Sequence, residues 1–139
     1  MLILCIVSTI HTLDSVGTVL RLLDMGVDPY LVNSALTGVV AQRLIRKRCR
    51  QCYGQGDCSA CHSTGFHGRV GIYEVLEIDE ELHPYILNRC SAATIRRHLQ
   101  KKDFTFLSLL LEKKITEGVA ERIEQSHYAV HVEGDTMVR

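Results

Sequence analysis

Residues 48 to 65, RCRQCYGQGDCSACHSTG, hold two Cys-x-x-Cys pairs, Cys49 with Cys52 and Cys58 with Cys61, so four of the chain's six cysteines fall within a thirteen-residue stretch. Each pair can occupy a tight turn that points two sulfurs at one place. Four thiolates at the corners of a tetrahedron, each about 2.3 Å from Zn²⁺, make a closed structural site with no position left for water. Gly54, Gly56 and Gly65 let the backbone turn around the ion. Arg48, Arg50 and Arg69 flank the site and would offset part of the charge of a zinc ion held by four thiolates. The predicted ligands are therefore Cys49, Cys52, Cys58 and Cys61, and the predicted metal is Zn²⁺.

Other chemistries fit less well. Disulfides belong to oxidising compartments, and a thioredoxin-type dithiol needs only one pair, at a helix start after a strand. Spacing leaves an iron–sulfur cluster open as a second choice. His62 and His67 could each stand in for a cysteine, but read more simply as surface histidines. Cys5 and Cys90 lie far from the cluster and are expected to be small buried apolar groups. A closed four-thiolate site does no reaction chemistry, so it reads as a clamp, and any activity must come from what it clamps.

The elements around the clamp can be read from caps and periodicity. LILCIVST, residues 2–9, is a short apolar run rich in β-branched residues and predicts a strand buried on both faces, as in a parallel sheet. Asp14 then caps a helix, SVGTVLRLLDM, with Val16, Val19, Leu20 and Leu23 on one face and Gly26 as its stop. Asp28 and Pro29 open a second helix, with Gly38 expected to end it. Val39 and Val40 favour a strand through VVAQRLIRKR, and the alternation in RVGIYEVLEI predicts another after the cysteines. Three short helices should follow. Asp79 caps the first, which Pro84 limits or kinks; Ser91 caps AATIRRHLQKK; and Thr116 caps EGVAERIEQ. The tail HVEGDTMVR carries little pattern and is expected to fray.

Composition bounds the rest. With 139 residues, 46% apolar and 23% charged, the chain can bury the core of one domain, or of a domain with a smaller appendage. Sixteen basic residues balance sixteen acidic ones, but residues 1–69 carry seven Lys/Arg against four Asp/Glu. The densest basic stretch, RLIRKRCR, reads as a solvated face beside the site or as a surface for phosphate or anionic lipid. The N-terminal MLILCIVSTI lacks the positive n-region and cleavage site of a signal peptide, and no run approaches the roughly 18 apolar residues of a spanning helix. A cytoplasmic location is the expectation.

VSTIHTLDSVGTVLRLLDMGVDPYLVNSALTGVVAQRLIRKRC and CSACHSTGFHGRVGIYEVLEIDEEL together resemble the C-terminal part of the secretion ATPases that drive type II secretion and type IV pilus assembly. The resemblance is strong from about residue 6 to 81 and looser to about 126. Its most specific pieces are STIHT, which looks like the family's histidine box, LLDMGVDPYL, AQRL, and GRVGIYEVL after the second cysteine pair. It implies an α/β fold: the C-terminal part of a RecA-like ATPase domain with an inserted tetracysteine zinc-binding subdomain and a C-terminal helical segment. The implied boundaries are 1–48 for the motor portion, 49–68 for the zinc subdomain, 69–78 for a returning strand, 79–127 for the helical region and 128–139 for the tail. By resemblance His11, with Thr9 and Thr12 beside it, lies near the nucleotide phosphates, in keeping with ligand groups placed past the ends of buried strands in α/β folds. The implied assembly is a homo-hexamer at the inner membrane, cytoplasmic and peripheral, working with secretion or pilus platform proteins and not with nucleic acid.

Three departures from the family pattern carry weight. No G-x-x-x-x-G-K-[ST] occurs in the chain, nor an acidic residue ending an apolar strand before the histidine box. ATP and Mg²⁺ therefore belong to the intact family protein, and the chain reads as a C-terminal fragment that needs the remaining N-terminal part of the ATPase. The five residues YGQGD between the pairs are fewer than in many family members. Family glycines are replaced around Asp103 and Lys114. The competing reading is a stand-alone zinc module for protein or nucleic acid, since CRQCYGQG fits the repeat of Hsp40-type zinc domains. Against it, the second pair continues as HSTG.

Overall fold

A computed structural model describes residues 6–126. Helix α1 (Ser15–Asp24) starts where Asp14 is still extended and its Oδ1 accepts the Gly17 N–H at 2.7 Å, satisfying one of the donors a helix start leaves open. Asp28 does the same for Tyr30 at 2.8 Å and Pro29 fills the first turn of α2 (Pro29–Ala35). Strand β1 (Gly38–Arg48) then runs antiparallel to β2 (Phe66–Glu77), from Gly38 opposite Glu77 to Arg46 opposite Arg69. Helices α3 (His83–Leu87), α4 (Ala92–Lys101) and α5 (Leu107–Thr116) follow. Ser91 caps α4 by accepting the Thr94 N–H. The result is a small mixed domain of helices and a two-stranded ribbon, with the four cysteines between the strands.

An isolated two-stranded ribbon is marginal in water, so its inner face needs cover. Two apolar groups supply it. Val39, Leu76 and Ile78 pack with Val16, Val19 and Leu23 of α1, Val32 of α2, Ile86 of α3, and Ile95 and Leu99 of α4. Farther along the ribbon, Ile45 and Ile72 pack with Leu107 and Leu111 of α5 and with Ala120. The outer face stays open, with Val40, Leu44, Tyr73 and Val75 exposed.

Glu74 lies between Ile72 and Leu76 on the inner face, where the two groups meet, and is only 1% exposed. Its Oε1 accepts the Ser15 N–H at 3.0 Å and the Ser15 hydroxyl, and its Oε2 accepts the Leu107 N–H at 2.8 Å. Ser15 and Leu107 are the first residues of α1 and α5. One buried carboxylate thus serves open donors at two helix N-termini, where negative charge is favoured.

The structure differs from the sequence reading at several places. Of the strand expected over 2–9, residues 2–5 lie outside the described residues, and residues 6–9 form no strand, with Ile6 78% and Val7 88% exposed. A strand buried on both faces needs a neighbour, and the sheet among the described residues is the antiparallel ribbon, already covered on its inner face. Helix α2 stops at Ala35 rather than at Gly38, because Leu36 is already extended and Gly38 begins β1. Asp79 caps the turn before α3, accepting the Leu82 N–H at 3.0 Å, and Pro84 sits in the first turn of that helix, where its missing N–H costs nothing, rather than limiting it. Thr116 ends α5 instead of capping a later helix; its hydroxyl donates to the Glu112 carbonyl, the partner one turn back. Cys90 is half-buried against the first apolar group, while Cys5 and the tail from 127 lie outside the described residues. Asp103, at one of the replaced family glycines, adopts a φ of +53°, which Asp tolerates better than most residues.

Candidate metal centre

The cysteine segment enters from the end of β1 and leaves into the start of β2. The Cys49 N–H donates to the Gly65 carbonyl at 2.8 Å, which joins the two ends of the excursion. Within it the backbone repeats every nine residues. Tyr53 and Gly54, just after the first pair, have φ of +49° and +85°, and His62 and Ser63, just after the second, have +49° and +59°. The Gln55 N–H donates to the Cys52 carbonyl as the Thr64 N–H does to that of Cys61. Four residues past each pair a glycine N–H donates to sulfur: Gly56 to Cys52 Sγ at 3.4 Å and Gly65 to Cys61 Sγ at 3.3 Å. The second pair, followed by HSTG, therefore repeats the first in conformation although its residues differ. The five-residue spacer is the length that lets one turn follow directly on the other.

These two turns interlock. A Cβ on Gly65 would come within 2.6 Å of the Gly54 carbonyl oxygen, so the strand-side end of the second turn rests on the first with no room for a side chain. Gly65 also has a φ of +78°. The glycines were legible in the sequence as turn formers. Their second use, as N–H donors to thiolates, depends on the four-residue offset that both pairs share.

All four sulfurs lie within 4.8 Å of one another. Cys49 and Cys58 are separated by 3.6 Å, Cys52 and Cys61 by 3.7 Å, and Cys58 and Cys61 by 3.4 Å. A tetrahedron with metal–sulfur bonds of about 2.3 Å has edges of about 3.8 Å, so the spacing suits one ion. It is far longer than the roughly 2.05 Å of a disulfide, and all four cysteines are free. Three of them are buried. The group could hold a metal ion such as zinc, and the all-sulfur donor set favours a closed site.

Local electrostatics prepare these sulfurs for ionisation unequally. Burial opposes the thiolate at Cys52, but the Gly56 N–H and the neighbouring thiols outweigh it and bring the group down to about 6. Burial likewise opposes Cys61, which is lowered by the Gly65 N–H together with Cys58 and Cys49. At Cys58 the Cys61 N–H favours the thiolate, yet burial and the other three sulfurs prevail and push the group up to about 12. Like charges crowded together cannot all ionise without a cation among them.

The histidines stay out of this cluster. His67 Nδ1 donates to the Ala60 carbonyl at 2.8 Å, and His62 is exposed. Of the flanking cations, Arg48 pairs with Glu121 at 3.5 Å and faces the Tyr53 ring. The expected nucleotide-side residues lie elsewhere, in the irregular segment before α1. His11 and Thr9 are exposed, while the Thr12 hydroxyl meets that of Thr18 at 2.6 Å. Thr12 borders a cavity of about 290 Å³ with Asp14, Arg21 and Arg96, and Arg96 pairs with Asp14 at 2.6 Å. Among the described residues none of these three joins the sulfur group.

Comparison with known proteins adds a lineage to this geometry. A family described as "Type II/IV secretion system protein" matches residues 4–129. The Type II secretion system protein HxcR of Pseudomonas aeruginosa is 45% identical over 84 residues, covering 55% of this chain and 18% of the relative. The Type IV pilus assembly ATPase TfpB of Acinetobacter baylyi is 31% identical over 140 residues, covering 82% and 24%. The Type II secretion system ATPase E of Vibrio cholerae is 33% identical over 119 residues, covering 68% and 24%. The chain thus spans a quarter or less of the length of these relatives.

Proposed function

The chain belongs to the type II/IV secretion system protein family, and from that premise we propose that it is the zinc-clamped C-terminal part of an ATP-driven motor for type II secretion or type IV pilus assembly. The supporting observation is the closed sulfur cluster seated between the two strands of the ribbon, in a chain matched to the family over residues 4–129. Cys49, Cys52, Cys58 and Cys61 would hold Zn²⁺, which supplies folding energy and rigidity and no reaction step. Residues 1–48 form the motor's share in this reading, a portion of a RecA-like domain, and 69–78 a returning strand. Residues 49–68 form the zinc subdomain and 79–127 the helical region. His11, Thr9 and Thr12 would face the nucleotide phosphates in the assembled motor. The chain contains no G-x-x-x-x-G-K-[ST], so phosphate cradling calls on residues beyond it. The assembled protein would be a hexamer on the cytoplasmic side of the inner membrane, engaged with platform proteins.

The test is metal analysis combined with an ATPase assay on the purified chain. The expected result is about one zinc per chain and no hydrolysis above background. Hydrolysis that survives repurification and is lost in a His11→Ala variant would refute the division of labour, and a chain that binds no zinc would refute the clamp.

A further inference from the structure

The basic stretch ahead of the cysteines does not act as one surface. Arg43 donates to the Leu13 carbonyl at 2.9 Å, Arg46 pairs with Glu124 at 2.7 Å, and Arg48 pairs with Glu121. Lys47 and Arg50 make no ion pair or hydrogen bond among the described residues, and both are exposed. These two, with Arg48, His67, Gln51 and Ala60, line a cavity of about 340 Å³ beside Cys49. That is the size of a small-ligand site.

The ribbon is bent to form it. Pairing shifts between Arg46 opposite Arg69 and Arg48 opposite Phe66, so His67 and Gly68 together face Lys47. Gly68 has a φ of +72°, and a Cβ there would stand 3.2 Å from Lys47 Cε. A bulge of this kind re-aims side chains at the end of a ladder, and here it sets His67 and Lys47 at the same cavity. On the other wall Arg50 follows directly on Cys49, whose N–H is held by the Gly65 carbonyl at 2.8 Å and whose thiol would be held by a bound metal. His67 Nδ1 is taken up by the Ala60 carbonyl, which fixes the ring and leaves Nε2 as its remaining polar atom.

We propose that this cavity binds a phosphate group. The reasoning is chemical: a guanidinium fork and an ammonium, both without a carboxylate partner among the described residues, line one open recess with an imidazole and an amide, and phosphate matches that donor set. A bound zinc with four thiolates would place negative charge at one wall, which tempers affinity, and Arg48, paired with Glu121, is not free to offset the ligand's charge. The proposal stands apart from the motor reading, since neither His11 nor ATP enters it.

The test uses the zinc-loaded chain. Its amide spectrum is titrated with inorganic phosphate and, as control, with sodium chloride at equal ionic strength. In parallel it is sedimented with phosphatidylcholine vesicles with and without phosphatidylglycerol. Saturable shifts at Lys47, Arg50 and His67, or retention on the anionic vesicles alone, is the expected result. Phosphate shifts without retention assign a soluble phosphate compound, and retention without phosphate shifts assigns a lipid headgroup. A Lys47→Gln, Arg50→Gln variant should lose at least about tenfold in affinity, whereas Lys101→Gln with Lys113→Gln, equal in charge change, should not. Shifts that match those with chloride, or equal losses in both variants, would overturn the site, as would the absence of both signals.

Discussion

Replacing Glu74 by Gln keeps the shape of the side chain and removes one of two acceptor oxygens. In the native chain Oε1 serves Ser15 and Oε2 serves Leu107. A glutamine can satisfy one of these helix starts with its carbonyl oxygen, and must then turn its NH₂ toward the N–H of the other, donor against donor. A hydrogen bond to a charged acceptor contributes about 1.5–3 kcal/mol, and a buried donor left unsatisfied costs about 1–3 kcal/mol. These describe overlapping parts of one loss and do not add in full. The expected destabilisation is about 2–4 kcal/mol for Glu74→Gln and about 3–5 kcal/mol for Glu74→Ala, which opens a cavity as well. Domains of this size have about 5–15 kcal/mol in total, so either change should be plain in urea unfolding of the zinc-loaded chain followed by circular dichroism. Amide exchange supplies the local readout, with Ser15 and Leu107 losing protection more than the centre of β1. A Glu74→Gln loss below about 1 kcal/mol, or unchanged protection at both amides, would refute the double-cap argument.

Three further outcomes follow from the same contacts. Gly65→Ala should lower zinc affinity at least about tenfold in competition with a chromogenic chelator, because the new Cβ meets the Gly54 carbonyl and pulls the Gly65 N–H from Cys61 Sγ; wild-type affinity would contradict it. Cys58, raised to about 12, is protonated at neutral pH and must release that proton to bind metal. Apparent zinc affinity should thus fall by about tenfold or more per unit between about pH 8 and 6, and a flat profile would count against it. Lys102, donating to Asp79 at 2.6 Å, holds that carboxyl below its ordinary range despite some opposing burial, with the Leu82 N–H helping. A depressed carboxyl adds stability that is present above its unfolded value near 3.9 and lost as pH falls through the lower folded value. Asp79→Asn should therefore cost about 0.5 kcal/mol or less at neutral pH, the pair being partly exposed, and cost nothing in strong acid. A difference that persists in acid would assign the effect to packing.

What could be read from the chain follows the range of the interactions involved. Asp14, Asp28 and Ser91 cap helices through donors two or three residues away, so those helix starts were visible in sequence. The β2 alternation was visible because one of its faces is buried. Glu74 stood in that alternation on the apolar face, yet its partners lie 59 and 33 residues away, and nothing local says that two helices begin there. Pro84 and Thr116 were misread for a related reason. Both are compatible with either end of a short helix, and packing of Ile86 and Leu111 decides which. The strand expected over 2–9 rests on an apolar run rich in β-branched residues, a local signal that cannot supply the neighbouring strand that burial demands.

The clamp and the carboxylate divide one task along the ribbon. Two strands joined by the excursion 49–65 would ordinarily pay loop-closure entropy and leave the register loose near the open end. Here the sulfur cluster and the Cys49–Gly65 hydrogen bond close that end, while Glu74 ties the middle of β2 to α1 and α5. The two devices share no residue, and the apolar groups against Leu76 and Ile72 are separate from the cysteine cluster. Loss of metal should therefore loosen residues 49–65 and the cavity at Lys47 and Arg50 without releasing the helices, whereas loss of Glu74 should do the reverse. The short spacer YGQGD serves the same end: with equivalent sulfurs nine positions apart, the second turn rests directly on the first through Gly65 and Gly54.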